Sequence, residues 1–261
     1  MSTEPAGEHL PVIVVPCFNE ERRIDVPRFT SLAESGRVRL LFVNDGSTDD
    51  TVQVLTHLVA SASNVDILDL PHNGGKAEAV RRGLLQAVES GTAVVGYYDA
   101  DMSTPPHELL RLLAVLDDRP QVSFVMGARV QLLGRTIERS TLRHYLGRVF
   151  ATLASVILRI RVYDTQCGAK VFRVTPAVRE ALERRFRSSW VFDVELIGRL
   201  LEGGSGAPPL TVTGFEEVPL VEWHHVSGSK LTISEMARAF VDLLVVGARL
   251  SLLRRPHRGA S

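Results

Sequence analysis

The stretch Val94–Val95–Gly96–Tyr97–Tyr98–Asp99–Ala100–Asp101 decides the fold. Its valine- and tyrosine-rich first part reads as a buried strand. The strand ends in two carboxylates separated by one alanine, then Ser103, Thr104 and the breaker pair Pro105–Pro106. Like charges this close repel and need a counter-charge. A hard divalent cation such as Mg²⁺ or Mn²⁺, itself holding substrate phosphates, supplies one. A solvated loop with helix-capping acids is the other reading of so short a triplet, and on these residues alone both stand.

Upstream, apolar runs end in the same manner. Val12–Val15 is a short strand closed by Pro16, followed by Cys17, Phe18, Asn19 and Glu20. Leu40–Val43 runs into Asn44–Asp45–Gly46–Ser47–Thr48–Asp49–Asp50, where Ser47 or Thr48 is expected to cap a helix carrying Val52, Leu55, Leu58 and Val59. Val65–Leu70 is stopped by Pro71–His72–Asn73–Gly74–Gly75, and Lys76 to Ser90 has Ala79, Val80, Leu84 and Val88 at helical spacing. Strands alternating with helices imply an α/β fold with a mostly parallel sheet. The carboxyl ends of such strands form the ligand crevice, so the fold gathers Glu20, Asp45, Asp99 and Asp101. The dinucleotide fingerprint is absent, and the P-loop fails because Leu70 stands five residues before Gly75. Acids at strand ends accept hydrogen bonds from base and ribose or hold metal. The crevice therefore suits a nucleotide whose phosphates arrive with a cation.

Composition bounds the rest. A chain of 261 residues suits one large α/β domain or two small ones. Thirty basic residues balance thirty acidic ones, so nothing global points to nucleic acid. Cys17 and Cys167 lack metal spacing and read as buried small hydrophobes in a reducing compartment. Met1–His9 lacks the basic and apolar regions of a signal peptide, and no apolar run reaches the ~18–20 residues of a spanning helix. A soluble or membrane-surface protein is expected.

In the second half, Ser123–Met126 reads as a strand ending in Gly127–Ala128–Arg129. Leu142, Leu146, Val149, Phe150, Leu153 and Ile157 then recur at helical spacing. Around them stand Arg135, Arg139, Arg143, Arg148, Arg159 and Arg161, opposed only by Glu138. Ile233–Leu253 repeats the design with Met236, Phe240, Leu243, Leu244, Leu250 and Leu253. Either segment can lie on a membrane surface or pack on the core. Plain readings also hold for Gly168 and Gly228 as turn glycines and for Trp223 as a core residue. Phe192–Asp193–Val194–Glu195 reads plainly as an acidic first helical turn, and His224–His225 as a loop without metal pattern.

Four motifs in order carry a resemblance: Pro16–Cys17–Phe18–Asn19–Glu20, Asn44–Asp45–Gly46–Ser47–Thr48–Asp49, Asn73–Gly74–Gly75–Lys76 and Asp99–Ala100–Asp101. Together they resemble the family-two glycosyltransferases of GT-A fold. The blocks Val162–Arg173, Phe192–Leu196 and Trp223–Lys230 are similar to the dolichyl- and polyprenyl-phosphate sugar synthases, most closely the dolichyl-phosphate glucosyltransferase branch. The likeness runs from about Val12 to about Lys230. It implies a GT-A domain over residues 1–230, with a nucleotide-sugar half (11–101) and an acceptor half (102–230). An amphipathic membrane-surface segment would follow (231–261).

The resemblance further implies that Glu20 and Asp45 bind ribose and base, with Pro16, Phe18, Lys76 and Ala100 beside the donor. Asp99 and Asp101 hold Mg²⁺ or Mn²⁺ on the diphosphate. Arg129, Arg139, Arg143, Gln166, Ser229 and Lys230 would take the acceptor phosphate, with Asp164 orienting the acceptor or removing a residual proton. The expected reaction moves a hexose from a UDP- or GDP-linked donor, UDP-glucose foremost, to polyprenyl phosphate. The expected location is the cytoplasmic face of a membrane, held peripherally. A family-two transferase with a hydroxyl acceptor would need a clear base near the sugar. A silent nucleotide-sugar-binding protein would not need the intact acid pair.

Overall fold

The structure is a computed structural model that describes residues 10–138, 141–226 and 233–253. Its centre is a seven-stranded sheet. The strands that build it are β1 (Val12–Cys17), β2 (Arg39–Asp45), β3 (Val65–Leu70), β4 (Val94–Tyr98), β5 (Phe124–Ala128), β7 (Ala169–Arg173) and β8 (Phe215–Pro219). The order is β3-β2-β1-β4-β7-β5-β8, and β6 (Thr136–Ile137) pairs separately with β9 (Glu222–Trp223).

Helices α1 (Val26–Glu34), α2 (Thr51–Ser61), α3 (Lys76–Glu89) and α4 (Pro106–Asp118) connect the first strands. The register shows parallel pairs β1–β2, β1–β4, β2–β3 and β5–β8. Only β7 runs antiparallel, inserted between β4 and β5. The mostly parallel sheet expected from the alternation is therefore present. The consequence of β7 is topological: the carboxyl ends of β1, β2, β4 and β5 and the amino end of β7 meet at one edge.

Two apolar layers cover the faces. One packs α3 with α6 (Pro176–Glu183), α7 (Phe192–Glu202) and parts of α5 (Thr141–Leu158) and α8 (Ile233–Leu253). The other holds residues of α1, α2 and α4 around Phe29, Phe42 and Tyr98. Strands buried on both faces explain the uninterrupted apolar runs from which they were read.

One expected cap differs. Helix α2 begins at Thr51 after Asp50, not after Ser47 or Thr48. Ser47 instead accepts the Asn19 N–H, and Thr48 donates its N–H to the Asn19 side chain at 2.8 Å. The loop between β2 and α2 is thereby spent on holding the β1 loop. The two halves of the first crevice wall are tied together.

Helices α5 and α8 lie side by side, with Phe150 and Phe240 at 5.8 Å and Gly247 against Ile157. Ala151, Ala154, Leu158, Leu243, Val246 and Leu250 are buried. Tyr145, Val149, Val156, Val241, Leu244 and Val245 are exposed. Each helix therefore has a core face and an uncovered apolar stripe. Among the described residues no helix is long and apolar enough to cross a membrane.

Candidate active site

At the shared edge β4 ends, and Asp99 and Asp101 follow. Asp99 donates its backbone N–H to Gly168 O at 2.9 Å, just before β7. Gly168 is not a turn glycine with positive φ: a Cβ there would run into the Asp99 carboxylate. Asp101 Oδ1 accepts from Ser103 N and Oγ at 3.0 and 2.7 Å. Met102 between them has φ +48, and Asn19, just before Glu20, has φ +52. Non-glycine residues in this region are strained, and here both flank site acids.

The acid pair has protein counter-charges of its own. Lys76 Nζ lies 2.6 Å from Asp99 Oδ1. Arg23 Nη2 donates to Asp101 Oδ2 at 2.9 Å and reaches Glu20 through Nη1 at 3.3 Å. Burial opposes the Lys76 charge, yet Asp99, Asp193 and Asp101 outweigh it and hold its pKa above the ordinary lysine value. Sequence reasoning placed Lys76 beside the donor but missed Arg23. The only signal for Arg23 was its place as one of two adjacent arginines in Glu20–Glu21–Arg22–Arg23.

Asp45 is buried, and its oxygens accept the N–H groups of Gly74 and Gly75 at 2.8 Å each. Burial raises its pKa, against the two backbone donors that lower it. Gly75, at φ +84, is the residue before α3, so Asp45 fixes the turn that launches Lys76 toward Asp99. Glu20 takes its own support from Thr51 Oγ1, which accepts the Glu20 N–H at 2.9 Å. Pro16 lies within β1, Phe18 is half-buried after it, and Ala100 is buried between the acids.

Next along the edge, β5 ends at Ala128 and presents Arg129. Asp164 holds this guanidinium as a fork, Nε to Oδ2 at 2.6 Å and Nη2 to Oδ1 at 2.8 Å, and also accepts the Arg129 N–H at 3.1 Å. Trp223 lies under the guanidinium at 5.4 Å, so it is both packed on the core and in contact with a site cation. Burial opposes the Arg129 charge, but Asp164 more than compensates and raises its pKa. The Asp164 carboxylate is thus committed to Arg129 and to the Gln166 N–H at 3.1 Å. Gln166 Nε2 points toward Asp193 at 3.5 Å. Arg139, Ser229 and Lys230 lie outside the described residues, as does the side chain of Arg143.

Under the edge lies a buried lysine–aspartate pair that the sequence reading did not find. Lys170 on β7 is fully buried, 2.8 Å from Asp193 Oδ1 and 2.6 Å from Cys167 O, and the Tyr97 hydroxyl donates to Asp193. Burial pulls the Lys170 pKa down to about 8 and pushes that of Asp193 up to about 8. A lone lysine inside the apolar run Ala169–Phe172 was the available signal. On the outer side, Glu108 of α4 is completely buried and accepts the N–H groups of Val221 and Glu222 at 2.6 and 3.0 Å. That anchors the corner carrying Trp223.

The residues present fit a divalent cation. Asp99 and Asp101 offer hard oxygen donors in one loop, and Asp99 Oδ1 is buried without an aligned hydrogen-bond donor, only the Lys76 ion pair. Magnesium- or manganese-type ions are commonly held by one or two carboxylates with substrate phosphates completing the shell. Among the described residues no group of three or more acid, histidine or cysteine side chains could hold a metal unaided. The set therefore suits an ion brought with a phosphate ligand.

A GT-A-type sheet with paired acids at its switch edge defines a class, and the sequence places the chain within it. Residues 12–178 match Glycosyl transferase family 2, and the chain belongs to that family of glycosyltransferases. It is 30% identical over 250 residues to a dolichyl-phosphate beta-glucosyltransferase of Trichomonas vaginalis, covering 89% of this chain and 69% of that one. It is 31% identical over 236 residues to the dolichyl-phosphate beta-glucosyltransferase of Drosophila melanogaster, covering 84% and 68%. Among solved structures it is similar to glucosyl-3-phosphoglycerate synthase of Mycobacterium tuberculosis, crystallised with Mn²⁺, uridine-diphosphate-glucose and phosphoglyceric acid. The TM-score is 0.65 at 20% identity, over 92% of this chain and 80% of that one. That likeness establishes the fold.

Proposed function

We propose that the protein transfers glucose from UDP-glucose to the phosphate of a polyprenyl phosphate, with Mg²⁺ or Mn²⁺ held by Asp99 and Asp101. The curated relatives support the sugar and the lipid phosphate. The Mn²⁺ and uridine-diphosphate-glucose of the mycobacterial neighbour support the donor and the ion. One observation carries the acceptor: Arg129, a cation locked in place by Asp164 on the same sheet edge as the acid pair.

The chemistry follows from these groups. A phosphate monoester has a second pKa of about 6, so it reaches the site largely as a dianion and needs no strong base. That agrees with an Asp164 already engaged by Arg129. Arg129 would grip and orient the acceptor oxygens, with Arg139, Arg143, Gln166, Ser229 and Lys230 as further phosphate contacts. Glu20 and Asp45 would fix the nucleoside, Asp45 through the Gly74–Gly75 turn as well as directly. An acceptor oxygen forms its bond to the anomeric carbon while the bond to the nucleoside diphosphate breaks, and the electron pair leaves with the diphosphate. The bound cation would offset charge developing on that leaving group. Residues 11–101 would serve the donor and 102–230 the acceptor. The exposed apolar stripes of α5 and α8 would lie on a membrane surface, peripherally and on the cytoplasmic side.

The test offers labelled UDP-glucose, GDP-mannose and UDP-N-acetylglucosamine to purified protein with polyprenyl phosphate and either ion. Polyprenyl-phosphate glucose is the expected product. Asp101→Asn or exhaustive chelation should abolish it. Equal turnover of the free polyprenol would overturn the mechanism, because a neutral alcohol is neither charged nor held by an arginine fork.

A further inference from the structure

Arg23 stands where the proposed donor and ion must both arrive. Its backbone N–H bonds to Glu20 O at 2.8 Å, so its turn is fixed while its long side chain spans to Asp101. Nη2 takes Asp101 Oδ2 at 2.9 Å, Nη1 touches the Glu20 carboxylate at 3.2 Å, and Nε is buried without an acceptor among the described residues. Ser103 occupies the other Asp101 oxygen. Lys76 stands on Asp99 in the same way. Asp99 and Asp101 each face a resident cation, and Glu20 shares Arg23, so three carboxylates meet two cations and neither metal-facing acid stands without a counter-charge.

A bare divalent cation gains little in such a cluster, because it must displace a cation to reach a carboxylate. A cation bound to a nucleoside diphosphate meets different terms. The diphosphate brings negative oxygens on which a displaced guanidinium can close its fork. We infer that Arg23 is an exchanging counter-ion: it holds Asp101 in the ligand-free protein and passes to the donor diphosphate when the cation takes Asp101. Metal and nucleotide then bind cooperatively, each tightening the other by one and the same factor. Arg23 suits this exchange better than Lys76, since its planar head keeps donors to spare while still attached to Glu20. This inference rests on the metal-dependent donor site proposed above. The competing role is a brace that joins the Glu20 turn to the Asp101 loop. The two roles make opposite demands on metal affinity: removing a competitor strengthens bare-ion binding, and removing a brace does not.

Electron paramagnetic resonance of free Mn²⁺ separates them, with wild type, Arg23→Gln and Arg23→Lys titrated with and without UDP. The wild type should bind Mn²⁺ weakly alone and more tightly with UDP, within the roughly 5–150-fold range usual for coupled sites. Arg23→Gln should bind Mn²⁺ alone several-fold more tightly than wild type, and the tightening by UDP should shrink toward none. Arg23→Lys keeps the charge and should stay near wild type for the bare ion, with part of the coupling lost. Thermal melting shows that each variant is folded. Should Arg23→Gln fail to fold, Arg23→Lys decides: bare-ion affinity above wild type, or coupling untouched, overturns the exchange. Folded Arg23→Gln with unchanged or weaker bare-ion affinity overturns it equally. A wild type with no coupling at all overturns the donor-site reading together with it. A coupled wild type beside an equally coupled Arg23→Gln sinks the Arg23 role alone.

Discussion

Asp164→Asn is the sharpest perturbation of the acceptor side. The substitution keeps size and shape but removes the charge and one acceptor. Asp164 Oδ2 accepts from Arg129 N and Nε, and Oδ1 accepts from Arg129 Nη2 and Gln166 N. Whichever way the new amide turns, its NH₂ faces two N–H donors, so two hydrogen bonds are lost. Hydrogen bonds to charged groups contribute about 1.5–3 kcal/mol each. Whether that holds here depends on burial, and the Arg129 and Asp164 side chains are only 15% and 7% exposed. An exposed ion pair is worth about 0–1 kcal/mol, whereas leaving one partner of a buried pair uncompensated costs about 3–5 kcal/mol. The buried figure applies. Urea unfolding at neutral pH should show a loss of about 3–5 kcal/mol, and Arg129→Gln on top of Asp164→Asn should recover part of it. Transfer to polyprenyl phosphate should fall in the single variant even where the protein is folded. A loss below about 1 kcal/mol with full transfer would refute the claim that Asp164 organises Arg129.

Three further outcomes are expected. Gly168→Ala pushes a methyl group against the Asp99 carboxylate, so it should cost about 1–3 kcal/mol by denaturant unfolding and weaken UDP binding in the presence of Mn²⁺; undiminished binding would show that Asp99 is not held against β7. The His224–Glu222 clamp beside the site should depend on pH, because the hydrogen bond to Glu222, then that to Glu138, raises the His224 pKa above its ordinary value of 6.5, while the bond to His224 lowers Glu222 below 4.5. The histidine's contribution is complete below pH 6.5 and is lost as pH rises through its raised value; the glutamate's is complete above pH 4.5 and is lost as pH falls through its lowered value, so the protection of the β6 and β9 amides, relative to the intrinsic exchange rate at each pH, should be greatest between 4.5 and 6.5. Protection that does not change with pH would remove the clamp. Finally, Val149→Glu with Leu244→Glu alters two exposed residues and should release the protein from anionic liposomes in flotation, with unfolding free energy changed by less than about 0.5 kcal/mol per site.

The sequence by itself determined the parallel strands β1 to β5, the helices α2, α3, α5 and α8, and the family, but not the further parallel strand β8. Buried strands must be apolar on both faces, so their runs and abrupt ends survive in one dimension. It also placed Asp99, Asp101, Glu20 and Asp45 at one crevice, because strands running the same way end on the same side. What it could not supply was partnership. Arg23 and Asp101 lie 78 positions apart, and Arg129 and Asp164 lie 35 apart. No local pattern records which loop meets which, since that depends on the strand order. Inserting β7 antiparallel between β4 and β5 brings Gly168 to Asp99, buries Lys170 beside Asp193 and stands the Asp164 loop next to Arg129. Tertiary structure therefore showed Asp164 to be the holder of Arg129, a partnership that the sequence did not record. It also gave the paired acids their resident cations, because the energy of a charge depends on the neighbours that replace its water, and only the folded chain selects those neighbours.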